Sequence, residues 1–217
     1  MSLAYDFHDP RTARPSAALT EVMDRLGAKS TFERDEEIYA QGDDVEHLYR
    51  LVSGVVRTTR LAADGRRQVG DFYYPGDLFG LEVGPDHQFS AEALTSCEVQ
   101  VVRRASVRAF AGDVELDRAI LEATRRELQR TQDHLLLLGR RSAREKVAAF
   151  LLNLAEGAVP GAVDLPMGRQ DMADYLGLTI ETVSRMLTQL QDEEIVEFPT
   201  FRRFQVKRPE MLAALVD

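Results

Sequence analysis

The stretch Arg169–Leu190, RQDMADYLGLTIETVSRMLTQL, decides how the chain folds. It reads as two short helices joined by a tight turn at Gly177. Thr179 is placed to cap the second helix, its hydroxyl accepting a free backbone N–H. Met172, Ala173, Leu176, Leu178, Val183, Leu187 and Leu190 recur at helical spacing and can close a small core between the two helices. The pattern is that of a helix-turn-helix.

Glu181, Ser184 and Arg185 fall elsewhere, at i, i+3 and i+4, on one face near the start of the second helix. A carboxylate there can accept from a cytosine amino group, an arginine can fork onto guanine, and a serine can serve several bases or a thymine methyl. Alone, Glu181 and Arg185 are equally an i, i+4 ion pair worth about 0.2–0.5 kcal/mol on any exposed helix. Their context favours base reading: a Gly-Leu-Thr turn and a first helix of suitable length precede them, and a hairpin follows.

Asp174–Leu190, DYLGLTIETVSRMLTQL, resembles the recognition segment of the Crp/Fnr transcription regulators. The E-x-x-S-R form of Glu181, Ser184 and Arg185 is similar to the Fnr and FixK branch. The cyclic-AMP branch carries arginine and glycine where this chain has Ile180 and Ser184. The resemblance also implies that Arg169, Gln170, Thr179 and Thr182 clamp the DNA backbone. Arg169 and Gln170 open the first helix, whose free N–H groups suit a phosphate oxygen. Gln170 and Thr179 can also simply cap their helices, and capping is compatible with phosphate contact.

The chain has 217 residues, 44% hydrophobic and 29% charged, which suits two modest soluble domains. No apolar run reaches the 18 or more residues of a spanning helix, and the N-terminal MSLAYDFHDPRTARPS lacks the core of a secretory signal. The expectation is a cytoplasmic protein without membrane contact. The single cysteine, Cys97, forms neither an internal disulfide nor a cysteine cluster. In the strand-like TSCEVQVV it reads as a buried structural thiol, with a redox switch as the alternative. His8, His47, His87 and His134 show no ligand spacing, and no metal or cofactor is assigned.

The net charge of −9 argues against a polyanionic partner at first sight. Residues 139–217 carry 10 basic and 12 acidic side chains, net −2, so even the second half is not basic. DNA binding must then rest on local placement, with Glu193, Glu194 and Glu197 turned from the duplex.

Residues 1–18 read as a loose arm, followed by a short helix at Ala18–Leu26. In Fnr the corresponding region carries cysteines that bind an iron–sulfur cluster. This chain has none there, so direct oxygen sensing by such a cluster is not expected. From Ala28 to Arg104, short runs rich in Val, Leu, Phe, Tyr and Thr break at Gly42-Asp43, Gly54, Asp64-Gly65 and Gly76-Asp77. That spacing predicts an antiparallel β-roll or jelly roll with turns at the glycines. IYAQGD, LVSGVVR and PGDLFG resemble the sensory domain of the same family. Its cyclic-AMP branch holds nucleotide with a Gly-Glu-Leu segment and an Arg-Ser pair. Here these are Gly80-Leu81-Glu82 and Phe89-Ser90, so the phosphate-binding arginine is missing. A buried phosphodiester without a cation is costly. Cyclic-nucleotide binding is therefore not expected, and Ser90 and Glu92 read as polar residues alternating along a strand.

Between Val114 and Leu138 the period becomes helical. Leu121, Thr124, Leu128, Thr131, Leu135 and Leu138 follow alternating steps of three and four, a coiled-coil seam. Such a helix can also pack on its own β-roll. Its length of roughly 37 Å, and the gain in specificity when a DNA reader pairs, favour a homodimer helix. Gly139 breaks the pattern, placing a hinge at Leu138–Arg141. Ser142-Ala-Arg-Glu145 offers a capping box for a helix KVAAFLLNLAE. Arg140, Arg141, Arg144 and Lys146 can face phosphates, or equally serve as a solvated helix start or contacts to the other domain. Ala158–Gly161 reads as a turn and Val163–Pro166 as a short strand. Glu194–Phe198 and Phe204–Lys207 form a hairpin wing around Arg202 and Arg203, with Pro209–Asp217 as a terminal helix or tail.

The expected architecture is α+β: residues 1–112 as arm and β-roll, 113–139 as dimerisation helix and hinge, 140–217 as a winged helix-turn-helix. By resemblance, the expected function is a dimeric regulator of the activating kind that reads a near-palindrome with TTGA-like half-sites. RNA polymerase is then a further partner. FixK-like relatives generally activate genes for low-oxygen respiration or nitrogen fixation, often downstream of a separate sensor. The competing reading is an effector-gated regulator whose roll binds a small molecule, haem or cyclic nucleotide. An enzyme is not expected, since the sequence has no nucleophile elbow, phosphate loop or metal-ligand cluster.

Overall fold

The change of period near Arg104 marks where the strands stop. In the computed structural model, which describes residues 17–82, 84–111, 113–140, 142–155 and 161–216, eight strands precede that point. The predicted arm, residues 1–18, and the turn at Ala158–Gly161 lie largely outside the described residues. The chain divides into two units, one ending at Gln129 and the other beginning at Arg130.

The first unit opens with α1 (Ala17–Leu26), followed by β1 (Ala28–Phe32), β2 (Glu37–Tyr39), β3 (His47–Ser53), β4 (Val56–Leu61), β5 (Arg67–Tyr73), β6 (Leu78–Phe79), β7 (Ser90–Ala93) and β8 (Cys97–Arg103). They form two four-stranded antiparallel sheets, ordered β1-β8-β3-β6 and β2-β7-β4-β5. Tyr39, Tyr49, Leu51, Val56, Phe79 and Val99 fill the layer between them. β-Branched and aromatic residues recur along the strands, and alternate strand residues turn inward. In β7, Ser90 and Glu92 point away from the core while Ala91 and Ala93 are buried. Glu92 pairs with Arg57 at 2.7 Å, so its polar reading holds. Gly54 turns β3 into β4 with φ 87°, and a methyl there would meet Ser96 O at 2.4 Å, so only glycine fits.

The Cys97 Sγ is buried and donates to the carbonyls of Val55 (3.2 Å) and Thr95 (3.1 Å). Burial pushes its thiol pKa up, which suits a structural side chain. A second core layer joins Leu19, Val22 and Met23 of α1 to Leu48, Val102 and Val107, the last from α2 (Arg104–Ala111).

The long helix α3 (Asp113–Arg140) has 28 residues, three more than the predicted stretch. It ends at Arg140, one residue past Gly139 and within the stretch Leu138–Arg141 where the sequence placed the break. Its early turns bring Ala123 onto the roll core.

In the second unit, α4 (Ala143–Ala155) begins at the predicted capping box. The Ser142 N–H donates to Glu145 Oε2 at 2.9 Å, and the Glu145 N–H to Ser142 Oγ at 3.3 Å. After β9 (Val163–Asp164) come α5 (Arg169–Leu176), α6 (Ile180–Asp192), β10 (Val196–Thr200), β11 (Arg203–Val206) and α7 (Pro209–Ala214). β9, β10 and β11 make a three-stranded sheet in which β11 is central. Val147, Leu151, Met172, Leu176, Val183, Leu187, Leu190, Phe204 and Leu212 are buried. With Ala173, also buried, six of the seven apolar positions read from the 169–190 pattern lie in the core, and the seventh, Leu178, is half-buried.

Candidate nucleic-acid interface

Arg169 and Gln170 lie exposed in the first turn of α5. Asp171 Oδ2 accepts the Gly168 N–H at 3.2 Å and closes that helix start. Gln170 does not cap; its Nε2 donates to Asp174 one turn on, at 2.7 Å. Gly177 ends α5 in the left-handed region (φ 62°, ψ 41°). A methyl at Gly177 would meet only Leu138 Cδ2 at 3.5 Å, ordinary contact, so backbone conformation and not space selects glycine.

The last carbonyls of α5 find partners that the sequence did not reveal. Lys146 Nζ donates to Leu176 O at 3.3 Å, and His134 Nε2 meets Tyr175 O at 2.7 Å. The His134 ring also stacks on Tyr175, with centroids 3.9 Å apart. A cation at a helix C-terminus complements its dipole. Lys146, one candidate for phosphate contact, is thus engaged within its own unit.

Thr179 caps α6 as read from the sequence, its Oγ1 accepting the Thr182 N–H at 3.2 Å. With Val183, Met186, Leu187 and Leu190 turned into the core, the opposite face of α6 carries Glu181, Ser184 and Arg185. Glu181 and Arg185 are exposed and Ser184 half-buried. The ion pair that their spacing allows is not formed: among the described residues, neither Glu181 nor Arg185 has an ion-pair or hydrogen-bond partner. Both heads are available to a ligand. Thr188, at i+7 from Glu181, extends this face and donates to Ser184 O at 3.0 Å. Its spacing was the signal for it.

Glu193, Glu194 and Glu197, the acidic residues that follow α6, are each paired. Glu194 meets Arg208 at 2.6 Å, Glu197 meets Lys207 at 2.7 Å, and Glu193 meets Arg144. Such pairs add little stability, but each offsets one negative charge of the unit. Arg144 is therefore used internally as well. At the wing, Arg203 pairs with Asp164 at 3.1 Å and donates to Ala162 O at 3.2 Å, while Arg202 donates to Pro166 O. The arginines that a free wing tip would offer are bent back, and Phe201, 86% exposed, occupies the tip.

The predicted seam of α3 divides. Leu121, Leu128 and Leu135 are 70%, 56% and 67% exposed, and Val114 continues the seven-residue row at 77%. Thr131 is exposed, Leu138 half-buried, and Thr124 half-buried with its hydroxyl enclosed.

The same order of parts recurs in known proteins. Residues 145–215 match the Crp-like helix-turn-helix domain, and residues 29–113 the cyclic nucleotide-binding domain. The nitrogen fixation regulation protein FixK of Azorhizobium caulinodans is 45% identical, over 94% of this chain and 85% of its own length. The chain belongs to the Crp/Fnr family of transcription regulators. A second FixK, from Rhizobium meliloti, is 42% identical over 87% of each chain. The solved structure of FixK2 from Bradyrhizobium japonicum superposes with a TM-score of 0.84 at 44% identity, covering 88% of this chain and 98% of that one. The Crp/Fnr fold read from the sequence, roll first and helix-turn-helix last, is the fold observed.

Membership of the cyclic nucleotide-binding fold does not bring the ligand chemistry with it. Phe89 stands where the family's arginine was sought, and its ring packs so closely on Gly70 that a methyl there would lie 2.8 Å from it. Glu82 sits 3.2 Å from the buried His87. Phe89 supplies no cation for a phosphodiester, and the guanidinium at the Gly80–Glu82 segment, Arg104, donates to Gly80 O at 2.6 Å. Among the described residues, no helix is long and apolar enough to cross a membrane.

Proposed function

We propose that this Crp/Fnr regulator acts as a homodimer that reads a near-palindromic DNA site through α6. The observation that carries the reading is the outward face of α6, where Glu181 and Arg185 stand exposed and unpaired around Ser184. Arg185 forks onto the guanine of a TTGA-like half-site, Glu181 accepts from a cytosine of the opposite strand, and Ser184 serves the neighbouring thymine. Arg169, Gln170, Thr179 and Thr182 hold the flanking phosphates and set the register.

Dimerisation is supported by the row Val114, Leu121, Leu128 and Leu135, four apolar side chains at heptad spacing that this chain leaves uncovered. Two α6 helices then enter successive major grooves about 34–36 Å apart. The names of the FixK relatives support a role as an activator of a nitrogen-fixation or low-oxygen programme, exercised in the cytoplasm through RNA polymerase and without catalysis. The test is selection of duplexes from a random pool by the purified protein at several salt concentrations. Enrichment of inverted half-sites is expected, and enrichment of unpaired or random sequence contradicts the reading.

A further inference from the structure

Arg169 stands at the first position of α5, where the helix dipole is positive and a cation is disfavoured. It has one close source of compensation: its guanidinium carbon lies 6.0 Å from the centroid of the Phe201 ring. The negative face of an aromatic ring attracts such a cation.

Phe201 is held there by its neighbours. The Leu165 N–H donates to Arg202 O at 2.8 Å. The Arg202 side chain reaches Pro166 O, and its N–H donates to Thr200 Oγ1 at 3.3 Å. The wing tip is thereby tied to the segment that enters α5, three and four residues before Arg169. A ring of this size left 86% exposed gains nothing for the core, so its place calls for another explanation.

We propose that Phe201 is a positioning residue for Arg169, holding the guanidinium beside the N-terminus of α5 so that it meets one backbone phosphate of bound DNA. The inference rests on the DNA-binding reading above and adds the wing tip to it. The wing then contributes through an aromatic brace, while its arginines fasten the hairpin. A braced guanidinium loses less side-chain entropy on meeting the phosphate, and the gain is independent of base sequence.

The test is a double-mutant cycle in the full-length protein, with Phe201→Ala, Arg169→Ala and the pair, titrated against a TTGA-type palindrome and a random duplex. Phe201→Ala is expected to weaken binding to both duplexes by about two- to fivefold. In the Arg169→Ala background the same change is expected to cost less than about 1.5-fold. Phe201→Tyr, which keeps the aromatic face, is expected to bind as wild type, and Phe201→Leu, which keeps only apolar bulk, as Phe201→Ala. Multiplying losses in the cycle, full activity of Phe201→Leu, or a neutral Phe201→Ala in a protein that still selects its palindrome overturns this inference alone. Failure of the wild-type protein to select any duplex overturns it together with the reading beneath it.

Discussion

At the scale of single residues, base reading and phosphate clamping leave different signatures. Arg185→Ala is expected to cost about 1–3 kcal/mol on the specific site and to relax selectivity at one base pair. Equal losses on specific and random duplexes would remove Arg185 from the reading role. Arg169→Ala is expected to weaken all sequences alike and to reduce the slope of log affinity against log salt by about 0.9. The cap made by Thr179 is tested through stability. Loss of its cap in Thr179→Ala is expected to lower stability by about 1 kcal/mol in denaturant titrations, whereas Thr179→Ser, which keeps the oxygen, should melt like wild type. An unchanged midpoint in Thr179→Ala would mean that the bond to the Thr182 N–H contributes nothing.

Among elements, the C-terminal turns of α3 and the end of α5 are coupled through His134. Burial holds its imidazole below the ordinary histidine value of 6.5, with Lys146 adding repulsion and the bond to Tyr175 O opposing both. The folded state thus takes up the proton later than the unfolded chain. The contribution of this contact is fully present above about pH 6.5 and declines as pH falls from there towards the lowered folded value. His134→Phe, which keeps a ring on Tyr175 but cannot titrate, is expected to show a shallower loss of stability between pH 7 and pH 5.5. Parallel curves would exclude His134 as the source.

These couplings were not legible in the sequence, because the partners of His134, Lys146, Arg144 and Arg202 lie 30 or more residues away and no local period marks them. What was legible was local. The left-handed backbone at Gly177, the cap at Thr179 and the box at Ser142–Glu145 each have a residue type that few alternatives replace. Gly139 marked the end of α3 to within one residue, because a helical glycine weakens the last turn.

For the whole molecule, a net charge of −9 has to coexist with binding to a polyanion. Pairing of Glu193, Glu194 and Glu197 with cations of their own unit offsets three of those charges, and among the described residues Arg185 of α6 has no carboxylate partner. One short helix reads few bases, and the proposed pairing through the exposed row of α3 would add a second copy. Leu128→Ala is expected to weaken self-association by about 2–5 kcal/mol for each leucine withdrawn from a packed seam. Sedimentation equilibrium unchanged by that substitution would place Leu128 outside the interface. The most direct test of the central claim is selection from a randomised duplex pool, run in parallel with wild type and Arg185→Ala. The account predicts two inverted TTGA-like half-sites, centred about 10 base pairs apart, with preference at the guanine lost in the variant. A single unrepeated site, or a guanine preference that survives the loss of Arg185, would contradict it.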